Sequence, residues 1–229
     1  MPNARPRSIR APRRGDDSVL VIGLGRFGGT LATTLVELGT TVLGVDASPS
    51  IVQAYAGRLT KVVEADATNP DVLEQLGATE FGEVVVAIGN LEASILTTTE
   101  LVRVGCADVW AKALTDAHAT ILHRVGAHHV IRPEHDMGRR IAHMVNGRVL
   151  DYIPLDADFA LVETLAPASL HGQALGAADV RQRFGVTVVC IKPEGEGFAT
   201  ATAESVIRPG DVLLVAGPTE QVEDFAFLA

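Results

Sequence analysis

From Ser18 the chain alternates short runs of β-branched and apolar residues with longer stretches whose apolar positions recur every three or four residues. The first run, "SVLVIG", predicts a strand. The stretch after it puts Phe27, Leu31, Leu35 and Leu38 on one helical face. Gly39 closes that helix, as a residue free to adopt positive φ does. The rhythm repeats as "TVLGVD" and "PSIVQAYAGR", "TKVVEA" and "NPDVLEQLG", "EVVVAIG" and "EASILTTTELVRVG", "DVWAKA" and "DAHATILHRVG", then "HHVIRP" and "EHDMGRRIAHMVN". Strands that each precede a helix predict an α/β domain, a Rossmann-like doubly wound parallel sheet over residues 18–147. Several strands are apolar at consecutive positions, which suits strands covered on both faces.

Past Gly147 the pattern changes. A strand "FALVETLAP", a helix "LGAADVRQRFG", strands "VTVVCIKP" and "DVLLVAG", and a closing helix "TEQVEDFAFLA" predict a small α+β C-terminal domain over residues 148–229. At about 80 residues it is near the lower end for an independent core, so it is expected to pair with a partner or a second copy of itself. Residues 1–17 stand apart: Arg5, Arg7, Arg10, Arg13 and Arg14 are separated by prolines and lack the apolar middle of a signal peptide. They are expected to form a disordered tail, with weak attraction to acidic lipid headgroups or an acidic partner as the alternative.

The first strand runs into Gly23-x-Gly25-x-x-Gly28 and then a helix. In this context each glycine has a separate task. Gly23 permits the tight turn, Gly25 lets the backbone approach a phosphate, and Gly28 lets the helix pack on the strand. The helix N-terminus then offers N–H groups and the positive end of its dipole. Asp46 closes the next strand, where a carboxylate accepts both ribose hydroxyls and repels a 2′-phosphate, favouring NAD or an adenine nucleotide over NADP. Asp66 and Ala67 end the third strand, where an adenine would lie. Asp66 either accepts from the exocyclic amine or caps the helix that begins after Thr68. Arg26, inside the glycine loop, is unusual for a dehydrogenase. On residue type alone it is either a solvated surface arginine or a fork for terminal phosphate oxygens.

Composition narrows the class. The formal net charge of −9 argues against a nucleic-acid partner, which would need clustered Lys and Arg. The longest apolar runs, such as residues 84–88, are strand-length and short of the ~20 residues that span a bilayer. Cys106 and Cys190 are isolated in apolar surroundings and read as reduced packing residues, which points to the cytoplasm.

Taken together, "GLGRFG", "VDAS", "ADAT", "VVAIGN" with "EASILTT", "WAKA" and "IRPEHDMGRRIA" resemble the RCK (regulator of K⁺ conductance) family, in particular the cytosolic regulatory subunits of Ktr/Trk-type potassium transporters. "VRQRFGVTVVCIKPEG" through "IRPGDVLLVAG" resembles that family's C-terminal domain, so the resemblance runs from Ser18 to the end. It implies a non-enzymatic subunit that binds ATP, ADP or NAD and gates an integral-membrane potassium transporter subunit. Such a subunit would work as a homodimer or octameric ring, peripheral to the inner face of the membrane. On the matching positions it implies nucleotide contacts from Gly23, Gly25, Arg26, Phe27, Gly28, Asp46, Ser48, Asp66, Ala67, Ile88, Gly89 and Lys112. In the paired assembly Arg26 would reach phosphates held by the neighbouring subunit. Glu134 would help hold a divalent cation, Mg²⁺ or Ca²⁺, near those phosphates. On residue type alone, Glu134 is equally a first-turn helix carboxylate, Lys112 a strand-end lysine reaching solvent, and Ser48 a helix N-cap. In some relatives the C-terminal domain binds cyclic di-AMP. Val180, Arg181 and Val188 would line such a site, with a plain dimer interface as the alternative.

Other chemistry is weakly supported. His123, His128, His129 and His135 fit no compact metal-ligand spacing and read as exposed helix and loop residues. Ser94, Thr97, Thr98 and Thr99 lack the context that activates a nucleophile. An NAD(H)-dependent oxidoreductase would need a sizeable substrate domain, and Arg181, Arg183 and Glu194 show no catalytic spacing. A redox sensor acting on DNA would need a DNA-binding element that the proline-broken tail does not supply.

Overall fold

The computed structural model describes residues 18–145 and 149–229. The arginine- and proline-rich stretch, residues 1–17, lies outside the described residues.

Strands β1 (Ser18–Ile22), β2 (Thr41–Asp46), β3 (Lys61–Glu64), β4 (Glu83–Val86), β5 (Val109–Lys112) and β6 (His129–Ile131) form one parallel sheet in the order β3-β2-β1-β4-β5-β6. Helices α1 (Arg26–Glu37), α2 (Pro49–Tyr55), α3 (Pro70–Gln75), α4 (Leu91–Arg103) and α5 (Asp116–Arg124) make the crossovers. Successive residues of β1 serve opposite faces. Leu20 and Ile22 pack with Val45, Val84, Val86, Leu101 and Leu122, while Val19 and Val21 pack with Leu24, Ala32 and Val42. Both faces are therefore dry, which is why β1 is apolar at every position but its first. The strand order reverses between β1 and β4. That reversal opens a crevice at the carboxyl ends of the strands, where such sheets bind ligands.

The chain's compact units divide between Pro133 and Glu134. Helix α6 (Pro133–Val145) thus goes with the second unit, whereas the change of rhythm in the sequence lies near Gly147. Side chains on α6 explain the attachment. Arg140 makes a two-point ion pair with Asp151, its Nε donating at 2.8 Å. His143 stacks on Tyr152 with ring centres 3.9 Å apart and pairs with Glu223 at 2.8 Å.

The second unit carries a sheet of β7 (Val149–Pro154), β8 (Phe159–Leu165), β9 (Thr187–Lys192), β10 (Ala199–Thr200) and β11 (Val212–Pro218), in the order β10-β9-β11-β8-β7 with antiparallel neighbours. Three features depart from the sequence reading, the first being the two-residue strand β10. Strand β7 was not anticipated, because a register shift between Val149 and Asp151 breaks the two-residue alternation. The stretch "LGAADVRQRFG" is two short helices, α7 (Leu175–Ala178) and α8 (Val180–Phe184), because Asp179 between them takes a left-handed φ of 48°. Asp tolerates that conformation better than most side chains. A final helix, α9 (Thr219–Ala226), packs Val222, Phe225 and Ala226 into the sheet's core.

Candidate functional site

The crevice holds a cleft of about 310 Å³ lined by Ile22, Gly23, Gly25, Asp46, Asp66 and Ile88, among others. Seven of the sequence-predicted nucleotide positions fall in that lining: Gly23, Gly25, Asp46, Asp66, Ala67, Ile88 and Gly89.

The glycine turn is shaped by sterics. Gly23 takes φ 92°, and a Cβ there would stand 2.9 Å from the Ala87 carbonyl carbon. A Cβ on Gly28 would stand 1.9 Å from the Gly23 carbonyl oxygen, so only glycine lets α1 start this close to the turn. Gly25 is different. It is the N-cap of α1, and a Cβ there would meet nothing within 4 Å. Protein packing does not require glycine at that position, whereas close approach of a ligand would.

Helix starts on this sheet are not alike. Asn69, Asn90 and Thr115 cap α3, α4 and α5 by accepting the N–H groups of Asp71, Ala93 and His118. Helix α1 has no side-chain cap and no acid in its first turn. Its terminal N–H groups and dipole therefore face the cleft without internal compensation, an arrangement suited to an anion.

Asp46 is fixed on both oxygens. Oδ2 accepts from the Leu24 N–H at 2.8 Å and Oδ1 accepts from the Ser48 N–H at 2.9 Å. Each oxygen keeps a lone pair for a ribose hydroxyl. Ser48 occupies the N-cap position of α2 without making a side-chain cap; its Oγ lies 2.9 Å from Ser50 Oγ. Asp66 does not cap α3, since Asn69 does. Its Oδ1 instead accepts the Thr68 N–H and hydroxyl at 3.0 and 2.7 Å. Those bonds hold the Asp66 carboxyl below the usual carboxylate range.

Lys112 does not reach solvent as a strand-end lysine would. It is 8% exposed, and its Nζ lies 6.0 Å from the centre of the Phe27 ring. Arg26 begins α1 exposed to water, and its guanidinium pairs with no side chain among the described residues. Glu134 is exposed in the first turn of α6, within the second unit. Among the described residues, no three His, Cys, Asp or Glu side chains converge as a metal-ligand set.

In the second unit, Val180, Arg181 and Val188 line one pocket of about 500 Å³, together with Thr187 and Ala203. Arg181 donates from Nε and Nη2 to Thr187 Oγ1 at 3.1 and 3.0 Å, which aims its guanidinium along β9.

The remaining candidates serve structure. Ser94, Thr97 and Thr98 are fully buried, and Thr97 Oγ1 donates to the Ala67 carbonyl at 3.2 Å, steadying the cleft's floor. His129 is half-buried rather than exposed, stacked on Trp110 and paired with Asp108. Cys106 is buried and Cys190 half-buried, and both are free thiols. Sequence reasoning passed over Thr68, Ala65 and Ala93 in the cleft. The Asp-x-Thr spacing of "DAT" was the available signal for Thr68.

Residues 19–133 match the TrkA-N domain and residues 159–227 the TrkA-C domain. The chain belongs to the TrkA-type RCK family. It is 40% identical over 207 residues to Ktr system potassium uptake protein C of Bacillus subtilis (strain 168), covering 90% of this chain and 94% of that one. It is 33% identical over 212 residues to Ktr system potassium uptake protein A of Vibrio alginolyticus, covering 92% and 96%. Among solved structures, the GsuK RCK domain superposes with a TM-score of 0.67 at 19% identity over 99% of this chain and 50% of that one. The GsuK channel bound to NAD gives the same score at 18% identity, covering 96% and 41%. At those identities the likeness is one of fold, and this chain spans half or less of the GsuK chains. No helix among the described residues is long and apolar enough to cross a membrane.

Proposed function

We propose that this RCK protein is the nucleotide-binding regulatory subunit of a potassium uptake system, acting from the cytoplasmic side on an integral-membrane transporter subunit. The observation that carries the nucleotide assignment is the Asp46 carboxylate, tied by two backbone N–H groups at the mouth of an uncapped glycine turn. This geometry suits a ribose at Asp46 and phosphates at the start of α1. The extensive identity to Ktr potassium uptake proteins supports the transport role.

The ligand is ATP or ADP, held by Gly23, Gly25, Gly28 and Asp46, with Ile88 and Gly89 flanking the base and phosphates and Lys112 reaching a phosphate. Two copies pair as a homodimer, or several as a larger ring, so that Arg26 meets phosphates bound by the partner. Glu134 and a divalent cation offset phosphate charge there; phosphate oxygens would supply most of the cation's ligands. Val180, Arg181 and Val188 form a second, cyclic di-AMP-binding site. The protein performs no chemistry on the nucleotide. Differential affinity for ATP and ADP shifts the assembly between two shapes, and the membrane subunit follows.

Calorimetry of the purified chain with ATP and ADP tests the ligand, and potassium uptake by cells lacking the chain tests the role. Failure to bind either nucleotide rejects the first. Uptake that is unchanged by the deletion rejects the second.

A further inference from the structure

Charge is divided unevenly along the chain. Residues 1–17 carry Arg5, Arg7, Arg10, Arg13 and Arg14 against Asp16 and Asp17, so within the net −9 the rest of the chain holds a formal charge of −12. The arginines precede the TrkA-N match, which begins at residue 19, and the nucleotide reading does not use them. The chain passes from them into β1 at Ser18. In the register of the sheet Val19 stands opposite Glu83, the first residue of β4. The arginines therefore join the molecule at the amino ends of the strands, on the edge opposite the nucleotide cleft.

That edge holds a pocket of about 600 Å³, larger than the nucleotide cleft. Asp71 and Glu74 of α3, Glu80 of the turn before β4 and Arg103 at the end of α4 are among the residues lining it. The three acids are exposed, and their carboxylates make no ion pair or hydrogen bond among the described residues. Arg103 is the one cation in the lining, and its Nε is turned to Glu100 at 2.7 Å. Asp71 and Glu74 sit one turn apart on α3, where like charges repel. The C-terminal end of α4 adds the negative end of its dipole. A cationic occupant relieves all of these at once.

We propose that the arginine-rich segment of this same chain docks in that pocket, its guanidinium groups pairing with Asp71, Glu74 and Glu80. Reach is ample. Seventeen residues span up to ~56 Å, whereas Glu83 and Glu80 are three residues, at most ~11 Å, apart. A planar guanidinium fork matches a carboxylate at two points, which favours arginine over lysine, and residues 1–17 hold no lysine. Single exposed ion pairs are weak, so the contact depends on several made together. Attachment at Ser18 supplies them at high effective concentration. An anionic lipid surface would draw the same arginines, but it would repel the acidic remainder of the chain and leave the pocket's carboxylates unpaired. The inference is independent of what fills the nucleotide cleft.

Trypsin cuts after accessible arginines, so its rate at Arg7, Arg10, Arg13 and Arg14 reads how far the segment is shielded. The test compares the full-length chain with Asp71→Asn/Glu74→Gln/Glu80→Gln. A control, Glu194→Gln/Glu196→Gln/Glu220→Gln, removes the same charge from exposed positions of the second unit. Each protein is checked for cooperative thermal unfolding, and cleavage at low salt is followed by mass spectrometry of the released peptides. The pocket variant should lose the segment several-fold faster than wild type, and the control at the wild-type rate. Arg10→Gln/Arg13→Gln should speed cutting at Arg7 and make it insensitive to the pocket substitutions. Protection in wild type should fade as salt rises well past ~0.1 M, where charges more than about 10 Å apart are screened. Equal cleavage of wild type and the pocket variant overturns the proposal. So does equal acceleration by the control, which would make overall charge the holding force. Protection lost on dilution assigns the segment to a second copy. Wild type that sediments with phosphatidylglycerol vesicles as fully as the pocket variant assigns it to a lipid surface. Either result overturns docking within the chain.

Discussion

The Oδ2 atom of Asp46 accepts the Leu24 N–H at 2.8 Å, tying the end of β2 to the glycine turn that follows β1. One carboxylate therefore holds the shape of the turn and, in the proposed binding mode, would also present the acceptors for a ribose. Asp46→Ala should remove both. Hydrogen bonds to charged groups contribute about 1.5–3 kcal/mol each, and their loss here is not additive, so ADP affinity should fall by more than tenfold. Asp46→Asn keeps one acceptor for the Leu24 N–H and should lose less affinity and less thermal stability than the alanine. Calorimetry and thermal unfolding of the two variants, side by side, check the order.

Gly25 and Gly28 stand three residues apart in one motif and serve different purposes. A Cβ at Gly28 collides with the Gly23 carbonyl oxygen. Gly28→Ala should therefore lower stability by about 1–3 kcal/mol, the usual cost of overpacking, with or without nucleotide. A Cβ at Gly25 meets no protein atom, and its φ of −64° is one alanine adopts freely. Gly25→Ala should fold at wild-type stability or gain about 0.4–1 kcal/mol from a stiffer unfolded chain. It should nonetheless bind ADP weakly, because the new methyl occupies the phosphate's approach. Equal ADP affinity in Gly25→Ala and wild type sinks the phosphate placement.

Most of the first unit was legible because its physics is local and periodic. Buried parallel strands must be apolar on both faces, and amphipathic crossovers must repeat every three to four residues, so each element carries its own pattern. The glycine turn and Asp46 were legible for a related reason: their spacing is dictated by a covalently short turn. What escaped depends on irregular or long-range structure. Strand β7 has Val149 and Tyr152 buried but Leu150 and Ile153 exposed, a sequence of faces that the bulge scrambles. The break at Asp179 rests on a single left-handed residue in an otherwise helical stretch. The allegiance of α6 is set by Arg140 and His143 meeting Asp151, Tyr152 and Glu223, contacts that no window of α6 alone reveals. Lys112 gives no sign in "WAKA" that it is covered by Phe27.

The Arg140–Asp151 pair gives the second unit an acid-sensitive hold on α6. Hydrogen bonding from the Arg140 guanidinium keeps the Asp151 carboxyl below its ordinary value, helped by the Tyr152 N–H. A carboxylate depressed in the folded state stabilises fully above its unfolded pKa, and that stability is lost as pH falls through the folded value. Wild type should therefore lose thermal stability more steeply than Arg140→Met once pH drops below the usual aspartate range. At neutral pH the variant should be the less stable of the two. Thermal unfolding from neutral pH down to pH ~3 reads both effects. Parallel pH profiles for the two proteins would remove the pair from the account of how α6 is held.

Arg26 is the residue whose role depends most on pairing. It is exposed at the first position of α1 and meets no side chain among the described residues, so replacing it should change thermal stability by no more than about 0.5 kcal/mol. In the proposed binding mode the α1 N–H groups would hold the inner phosphates and Asp46 the ribose, and a γ-phosphate would extend past both. If Arg26 of the partner subunit meets that phosphate, Arg26→Ala should keep most of its ADP affinity and lose its preference for ATP. A bidentate, charge-assisted contact contributes about 1.5–3 kcal/mol, so the ATP-to-ADP affinity ratio should drop by roughly ten- to a hundredfold. The nucleotide-dependent change in assembly shape should vanish with it, because a ligand shifts an equilibrium only by its differential affinity for the two states. Calorimetry gives the ratio, and small-angle scattering with ATP and ADP, with and without Mg²⁺, gives the shape. A variant that weakens both nucleotides equally and still changes shape would make Arg26 an inner-phosphate contact within one subunit, and the cross-subunit reading would fall.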